Sequence, residues 1–372
     1  MRGRSGQTVA MTAPRSSDPS EAAGLQGPAV FSWCLAGLCL VAAVLGCDDG
    51  GDAGTRAGGV DDLRSARADV RMLALDLPVD PSRAEFSGLD WWGDRLVLLP
   101  QYPDVFGDDG SGALLTIDRE RLARAIDGGD TTAIVPDRLP FDDHDIAARF
   151  TGWDGYEAIA FDGDRVYLSV ECRGDAGWEG IVLAGRVVGS PPRIVLDDEL
   201  RIHLPGASER PNFSEEALFV HEGLVWSLHE LNGRLVNRAP VVTRLGSDLV
   251  PRAPWPLAPL EYRVTDATQV DADGRFFVFN QFWPGEAEQV LADVDALASA
   301  DRPAGRPVER IVAMRVTDGR VEIDRDVGVL SLVPRADDVA RNWEGLARWG
   351  DAGFLVVTDR HPRTLLGYVE RP

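Results

Sequence analysis

Acidic residues stand at both open ends of the hairpin-like stretch YEAIAFDGDRVYLSVE, which spans residues 156–171. Glu157 and Glu171 flank two segments of alternating apolar and polar residues, and the turn sequence Asp-Gly-Asp separates these segments. The first strand of an antiparallel hairpin starts at the same end of the strand pair at which the second strand finishes. The two carboxylates are therefore expected on one side of the fold. Carboxylates that face one another either hold protons or bind a cation.

The elements that position these carboxylates recur along the chain. Related hairpins occupy residues 86–101, 215–230, 265–281 and 343–359. Each has a short strand, a turn that contains glycine and a second strand rich in Val, Leu, Phe or Trp. A third apolar strand follows every hairpin, and a looser fourth strand follows the first four hairpins; in the third unit it is placed at residues 259–264. Five repeats of four antiparallel strands predict an all-β fold, a five-bladed β-propeller.

The last repeat lacks a fourth strand, because the chain ends at Pro372. The segment VRMLALDLPVD, residues 70–80, is predicted to supply it, so that an N-terminal strand closes the ring in the last blade and covers its exposed edge. The rival all-β architecture is a sandwich, but the five-fold pattern favours the propeller. Helices are expected within residues 119–129 and 285–300, the second inside a long insertion at residues 282–307.

The N-terminal segment is typical of an exported protein. Arginines precede an uncharged apolar run at residues 29–46, and Cys47 follows in a lipobox-like setting. Residues 1–47 are therefore predicted to be a lipoprotein-type signal peptide, 48–67 a flexible tether and 68–372 the propeller. The alternative for the apolar run is an uncleaved transmembrane anchor. Both place the body outside the cytoplasm, in the periplasm or on the cell surface of a bacterium, held to the membrane.

Composition excludes several classes of function. The 372-residue chain has a net charge of -22, which disfavours nucleic acid as a partner and suits a protein that binds cations. All 38 basic residues are arginine, so no Schiff-base or P-loop lysine exists. With Cys47 lipidated, Cys172 has no disulfide partner and is expected to be a free thiol. We expect a monomer.

One residue near the start of the first strand in each of the five hairpins is predicted to belong to a ring around the propeller axis. This ring contains four acids and one hydroxyl, contributed by Ser87, Glu157, Glu216, Asp266 and Glu344. Calcium accepts six to eight oxygen ligands in irregular geometry, whereas zinc prefers His or Cys, so the ring is a candidate calcium site. Alternatively, each acid accepts backbone N–H bonds within its own blade.

The ends of the second strands are expected to surround the entrance of the same channel. Glu171 and Glu230 lie there as candidates for positioning a water molecule, and His229 is a candidate general base. Planar guanidinium groups bind phosphate or carboxylate groups well. The candidates for binding an anionic substrate are Arg173, Arg234, Arg360 and His361. The alternatives are surface ion pairs for the arginines and a solvent-facing position for His229.

The repeats resemble the family described as having esterase-like activity of phytase. The shared pattern is an acid, Gly or Ala, then Ile or Leu, a short turn and a strand that ends in an acid. It is carried by residues 157–171, 216–230 and 344–359. A looser similarity connects Ser87, Glu157, Glu216 and Glu344 to the channel calcium ligands of five-bladed calcium-activated nucleotidases (apyrases). Gly88 and Asp266 depart from that pattern, and the phosphate-site lysines of classical phytases are absent.

Two functions follow from these patterns. The first, which the resemblance implies, is a calcium-dependent hydrolase of phosphate or other esters that acts on a small anionic substrate. The second is a non-catalytic binding or scaffold propeller whose ion is structural. Acids at both hairpin ends favour the hydrolase, whereas the scarcity of His and the lack of a recognised nucleophile favour the scaffold.

Overall fold

The structure is a computed structural model that describes residues 63–80, 83–107, 111–128, 131–174, 177–204, 210, 212–298, 305–335, 339–359 and 363–372. The predicted signal peptide with Cys47, and Arg360 and His361, lie outside the described residues. No helix within the described part of the chain is long and apolar enough to cross a membrane.

Strands dominate the fold. Two short N-terminal strands come first, β1 (Ser65–Ala68) and β2 (Val70–Leu73). The first unit contains β3 (Phe86–Trp92), β4 (Arg95–Pro100), β5 (Gly112–Asp118) and β6 (Asp137–Asp142). The second contains β7 (Trp153–Asp162), β8 (Arg165–Gly174), β9 (Gly177–Val188) and β10 (Arg193–Leu204). The third contains β11 (Glu215–His221), β12 (Leu224–His229), β13 (Val241–Gly246) and β14 (Trp255–Pro256). The fourth contains β15 (Arg263–Ala267), β16 (Arg275–Phe282), β17 (Val308–Thr317), β18 (Arg320–Ile323) and β19 (Val329–Leu332). The fifth contains β20 (Trp343–Trp349), β21 (Gly353–Thr358) and β22 (Leu366–Glu370).

Apolar side chains pack the units into a closed ring. The first two strands of every unit form the antiparallel hairpin that the sequence predicts. Buried clusters lie between units one and two, two and three, three and four, and four and five. A further cluster joins Leu89 of the first unit to Ala347 and Leu355 of the fifth, which closes the circle. The prediction of an all-β propeller is confirmed.

The N-terminal segment completes the last unit. Strand β2 pairs antiparallel with β22, with Val70 opposite Val369 and Leu73 opposite Leu366. The pairing is shorter than the predicted segment 70–80, because the chain then crosses to the first unit, where Leu75 forms a bridge with Ile134. Strand β1, whose first three residues lie in the predicted tether, pairs in parallel with β19 at the edge of the fourth unit.

Two local predictions need correction, and one is confirmed. The fourth strand of the third unit is β14, not residues 259–264, which lead into β15. Among the described residues of the insertion there is only a short helix, α2 (Ala287–Val290), which follows a 3-10 turn and stops where Leu291 adopts a positive φ of 44°. The helix predicted within residues 119–129 is present as α1 (Arg119–Ile126).

A β-bulge lies near the start of the inner strand in every hairpin. In the first unit Phe86 faces Pro100 and Gly88 faces Leu99, so Ser87 has no partner across the pair. The equivalent residues of the other units are Glu157, Glu216, Thr265 and Glu344. A bulge bends the strand and redirects one side chain, so the five bulges aim their side chains toward the same end of the ring.

Candidate functional site

A strongly acidic pocket lies at the end of the ring where the inner strands begin. It has a volume of about 360 Å³, and the bulge residues of four units line it: Ser87, Glu157, Glu216 and Glu344. One arginine, Arg263, also lines the pocket. The seven acids in its wall are Glu85, Asp154, Glu157, Glu171, Glu216, Glu344 and Asp359. Four of the five residues that the sequence proposes for the ring therefore line one pocket.

Asp266, the fifth predicted ring residue, lies next to the bulge and outside the pocket wall. The bulge residue of the fourth unit is Thr265, whose hydroxyl donates a hydrogen bond to the backbone oxygen of Trp343 at 2.7 Å. The carboxylate of Asp266 accepts the backbone N–H groups of Leu346 at 2.7 Å and Leu89 at 3.2 Å. Asp266 thus links three inner strands, and its position is shifted by one residue relative to the other four ring residues, which are three glutamates and Ser87.

Amide side chains hold two of the ring carboxylates. Gln101 donates from Nε2 to Glu157 Oε1 at 3.0 Å, and Gln281 donates from Nε2 to Glu344 Oε1 at 3.3 Å. Gln101 follows the second strand of the first unit and Gln281 lies in the second strand of the fourth, so the end of each of these two hairpins contacts the inner strand of the next unit. Among the residues at the ends of the second strands, Gln101, Glu171 and Asp359 line the pocket.

Arg263 is a site residue that the sequence reasoning missed. It begins β15 and directs its guanidinium group toward the acids of three other segments. It forms an ion pair with the fully buried Glu230, and its Nη atoms lie 3.6 Å from Glu286 and 3.4 Å from Glu344. Because it lies at the start of an inner strand, where the ring residues also lie, its position could have identified it.

Burial raises the pKa of the two ring carboxylates Glu157 and Glu216 well above the usual glutamate range. Repulsion adds to this effect: Glu171 acts on Glu157, while Glu230 and Glu157 act on Glu216. Glu157 and Glu216, which lie on different units, therefore repel each other when both are ionised. Such repulsion favours the binding of a proton or a cation.

The pKa values of three neighbouring glutamates fall near neutral pH. Burial raises the pKa of Glu171 to about 7. Burial also raises the pKa values of Glu230 and Glu344 to about 8, although Arg263 opposes the rise for both. Small changes in pH or in nearby charge therefore change the ionisation of this site.

The structure places His229, Arg173 and Arg234 outside the wall of the pocket. His229 is buried rather than located at the entrance, and burial lowers its pKa to about 4, which makes it a weak base. Arg173 is exposed at the end of β8, and Arg234 lines a different cavity beside the insertion. Cys172 is a buried free thiol, and burial raises its pKa to about 11, as expected of an unreactive cysteine.

The donor set of the pocket fits a hard cation that keeps part of its water shell. Within the described ranges, no three His, Cys, Asp or Glu side chains converge closely enough to form a ready-made metal cage. The available donors are carboxylate oxygens and the Ser87 hydroxyl, which are the oxygen ligands that calcium prefers. Two buried oxygens, Oε1 of Glu171 and Oε2 of Glu344, have no hydrogen-bond partner within the protein.

Comparisons with known proteins give a likeness of fold. No protein-family model matches the chain, so the resemblance to the phytase-like family gains no support, and no curated protein matches it either. Among solved structures, an exo-1,5-α-L-arabinanase from a bovine ruminal metagenomic library is similar at 11% identity and a TM-score of 0.42, covering 77% of this chain and 93% of that one. An α-L-arabinanase from Cellvibrio cellulosa shows 12% identity, a TM-score of 0.42 and coverage of 77% and 92%. A mannose phosphorylase from Leishmania mexicana shows 9% identity, a TM-score of 0.42 and coverage of 81% and 87%. At these levels the similarity says nothing about activity.

Proposed function

We propose that this protein is an exported, lipid-anchored β-propeller that binds calcium in its axial pocket and hydrolyses a small anionic ester there. One observation supports the cation-binding part: among the described residues, seven carboxylates and a single arginine line the same pocket. Burying like charges together is unfavourable unless protons or a cation neutralise them. Glu157, Glu216 and Glu344 would hold the ion together with Ser87, and waters would complete its shell.

Binding of an anionic substrate would depend on that ion. Without it, the carboxylates of the pocket repel a phosphate or carboxylate group. Arg263 is the pocket residue suited to contact such a group, because its guanidinium group already faces the pocket and offers several N–H donors. A bound calcium ion would polarise the ester oxygen.

Glu171 is the residue suited to accept a proton from the attacking water. A general base works best when its pKa lies near the operating pH, and the Glu171 pKa of about 7 meets this condition. The water oxygen forms the new bond to phosphorus or carbon while Glu171 takes its proton. The ester bond to the leaving oxygen then breaks, and that oxygen receives the proton held by Glu171 and leaves as an alcohol, which restores the Glu171 carboxylate.

A non-catalytic binding propeller is the second candidate. It is favoured by the lack of a histidine among the residues that line the described pocket, and by the buried position of His229. In that case the same ion would stabilise the fold, and the pocket would bind ligands without turnover.

Isothermal titration of the purified, metal-free protein with calcium tests the cation site. The double variant Glu157→Gln/Glu216→Gln should lose the binding heat, whereas the matched variant Glu120→Gln/Glu370→Gln, which removes two exposed charges, should keep it. No calcium binding to the wild type would refute the proposal.

Hydrolysis is measured separately on a panel of phosphate and carboxylate esters. Activity should disappear with chelator and in the Glu157→Gln/Glu216→Gln variant. Calcium binding without turnover on any ester would favour the binding propeller over the hydrolase.

A further inference from the structure

The interface between the second and third units is divided into an apolar half and a polar half. In the apolar half, Tyr167 of β8 and Val225 of β12 belong to one buried cluster. Because side chains alternate along a strand, Ser169 and Glu171 face the same interface as Tyr167, and Ser227 and His229 face it from the other side. All four of these polar residues are buried. The half of the interface nearest the axial pocket is therefore polar.

Six side-chain atoms in this polar half have no hydrogen-bond partner within the protein. They are Oγ of Ser169, Oε1 of Glu171, Oγ of Ser214, Oε2 of Glu215, Oγ of Ser227 and Nε2 of His229. Eleven such buried atoms occur among the described residues, so this single interface holds more than half of them. Buried polar groups are almost always satisfied in folded proteins, so these atoms are expected to bind ordered water or a ligand.

The two carboxylates of this group lie close together. Glu171 pairs across the strands with Gly180, and the carboxylate of Glu215 occupies the space beside Gly180 that a side chain would otherwise fill. The charge of Glu171 acts directly on Glu215. Ser214 approaches Glu171 without forming a hydrogen bond of ordinary geometry. Glycine at position 180 therefore permits two acids and a hydroxyl to share one buried chamber.

We propose that this chamber, formed by Ser169, Glu171, Ser214, Glu215 and Ser227, binds a second calcium ion. The two carboxylates and the Ser214 hydroxyl offer up to five of the six to eight oxygen ligands that calcium takes, and waters would complete its shell. The charge of the two carboxylates balances that of a divalent ion. Glu171, Glu215 and Ser214 are the ligands, and Ser169 and Ser227 form the floor of the chamber.

His229 has a supporting role in the chamber. Its Nδ1 accepts the backbone N–H of Leu231 at 3.0 Å, so the neutral ring carries its proton on Nε2. A protonated Nε2 cannot bind a metal, but it can donate to a carboxylate and orient it, as side chains that surround metal ligands commonly do.

The second site is separable from the axial site. Glu215, Ser214 and Ser169 do not line the axial pocket, whereas Glu171 does and stands between the two. The second site therefore shares only Glu171 with the axial pocket. A Glu171 carboxylate that holds this ion is not free to act as the general base, so the proposal replaces that role and does not depend on hydrolysis.

Calcium stoichiometry tests the second site directly. Isothermal titration of the metal-free full chain with calcium chloride, with calcium counted by mass spectrometry after gel filtration, should give two ions per wild-type chain. Glu215→Gln should reduce this number to one and leave the affinity of the remaining ion unchanged. The matched variant Glu370→Gln, which removes an exposed charge, should still bind two.

A second variant protects the test against misfolding. Ser214→Ala removes one ligand and no charge, and it should weaken one of the two ions at least tenfold. If the wild type binds a single ion that Glu157→Gln/Glu216→Gln abolishes and Glu215→Gln leaves intact, the second site is refuted and the axial site stands. If Glu215→Gln and Ser214→Ala both bind two ions with wild-type affinity, the second site is also refuted.

Discussion

Arg263 Nη2 lies 3.4 Å from Glu344 Oε1, which joins the inner strands of the fourth and fifth units across the pocket. The same guanidinium group pairs with Glu230, and the Arg263 side chain retains only 17% of its exposure. Arg263 is thus a fixed internal cation in a pocket that otherwise collects negative charge. In the function proposed above, Arg263 contacts the anionic substrate beside the calcium ion.

Arg263→Gln should separate anion binding from calcium binding. Removing one partner of a buried ion pair leaves the other charge uncompensated and costs about 3–5 kcal/mol of unfolding free energy. Calcium affinity should stay the same or rise, because a competing positive charge is gone, while binding of an anionic ester should be lost. Urea unfolding and calorimetry measure both effects.

Arg341→Gln is the matched control for that variant. Arg341 forms a buried ion pair with Glu309 away from the axial pocket, so its loss should lower stability by a similar amount. Neither calcium nor ester binding should change in this control. Retained ester affinity in Arg263→Gln would show that Arg263 does not contact the anion.

Asp266→Ala should destabilise the protein without changing calcium stoichiometry. The substitution leaves the backbone N–H groups of Leu89 and Leu346 buried and unpaired, at a cost of about 1–3 kcal/mol for each. Asp118→Ala, at an exposed position, should change stability by less than about 0.5 kcal/mol. Loss of a calcium ion in Asp266→Ala would instead make Asp266 a ligand, as the sequence predicted.

Stability of the metal-free protein should fall as pH rises from about 5 to above 8. The folded-state pKa values are about 7 for Glu171 and about 8 for Glu230 and Glu344, against an ordinary value of 4.5. Groups whose pKa is raised on folding stabilise the protein when protonated, so their contribution is complete below pH 4.5 and disappears as pH passes 7 to 8.

Melting temperatures recorded in chelator and in excess calcium check this pH dependence. Calcium should reduce the decline at high pH, because it replaces protons as the neutralising charge. At a hundredfold excess over Kd, calcium binding adds about 2.7 kcal/mol. A metal-free melting temperature that stays level or increases between pH 5 and 8.5 would contradict the assignment.

Deleting residues 48–80 should prevent folding, whereas deleting residues 48–62 should be tolerated. The longer deletion removes β2, including Val70 and the buried Leu73, and exposes the edge of β22. Soluble yield and melting temperature distinguish the two variants. A longer deletion that melts at the wild-type temperature would mean that the fifth unit does not need the N-terminal strand.

Cys47→Ala tests the anchor. Expressed in a bacterium that processes lipoproteins, the wild type should incorporate labelled palmitate and sediment with membranes, and the variant should do neither. Label on the variant would show that Cys47 is not the acylated residue.

The sequence alone determined the repeated hairpins, because strand alternation and glycine turns are local properties that each segment expresses by itself. It also placed Ser87, Glu157, Glu216 and Glu344 on one end of the ring, since each holds the same position in its own hairpin. Only the tertiary structure decided the rest. A one-residue shift at a bulge placed Thr265, not Asp266, in the ring position, and alternation cannot detect such a shift. Likewise, the contact between Arg263 and Glu344 and the polar chamber around Glu215 arise where different units meet, so no single segment encodes them.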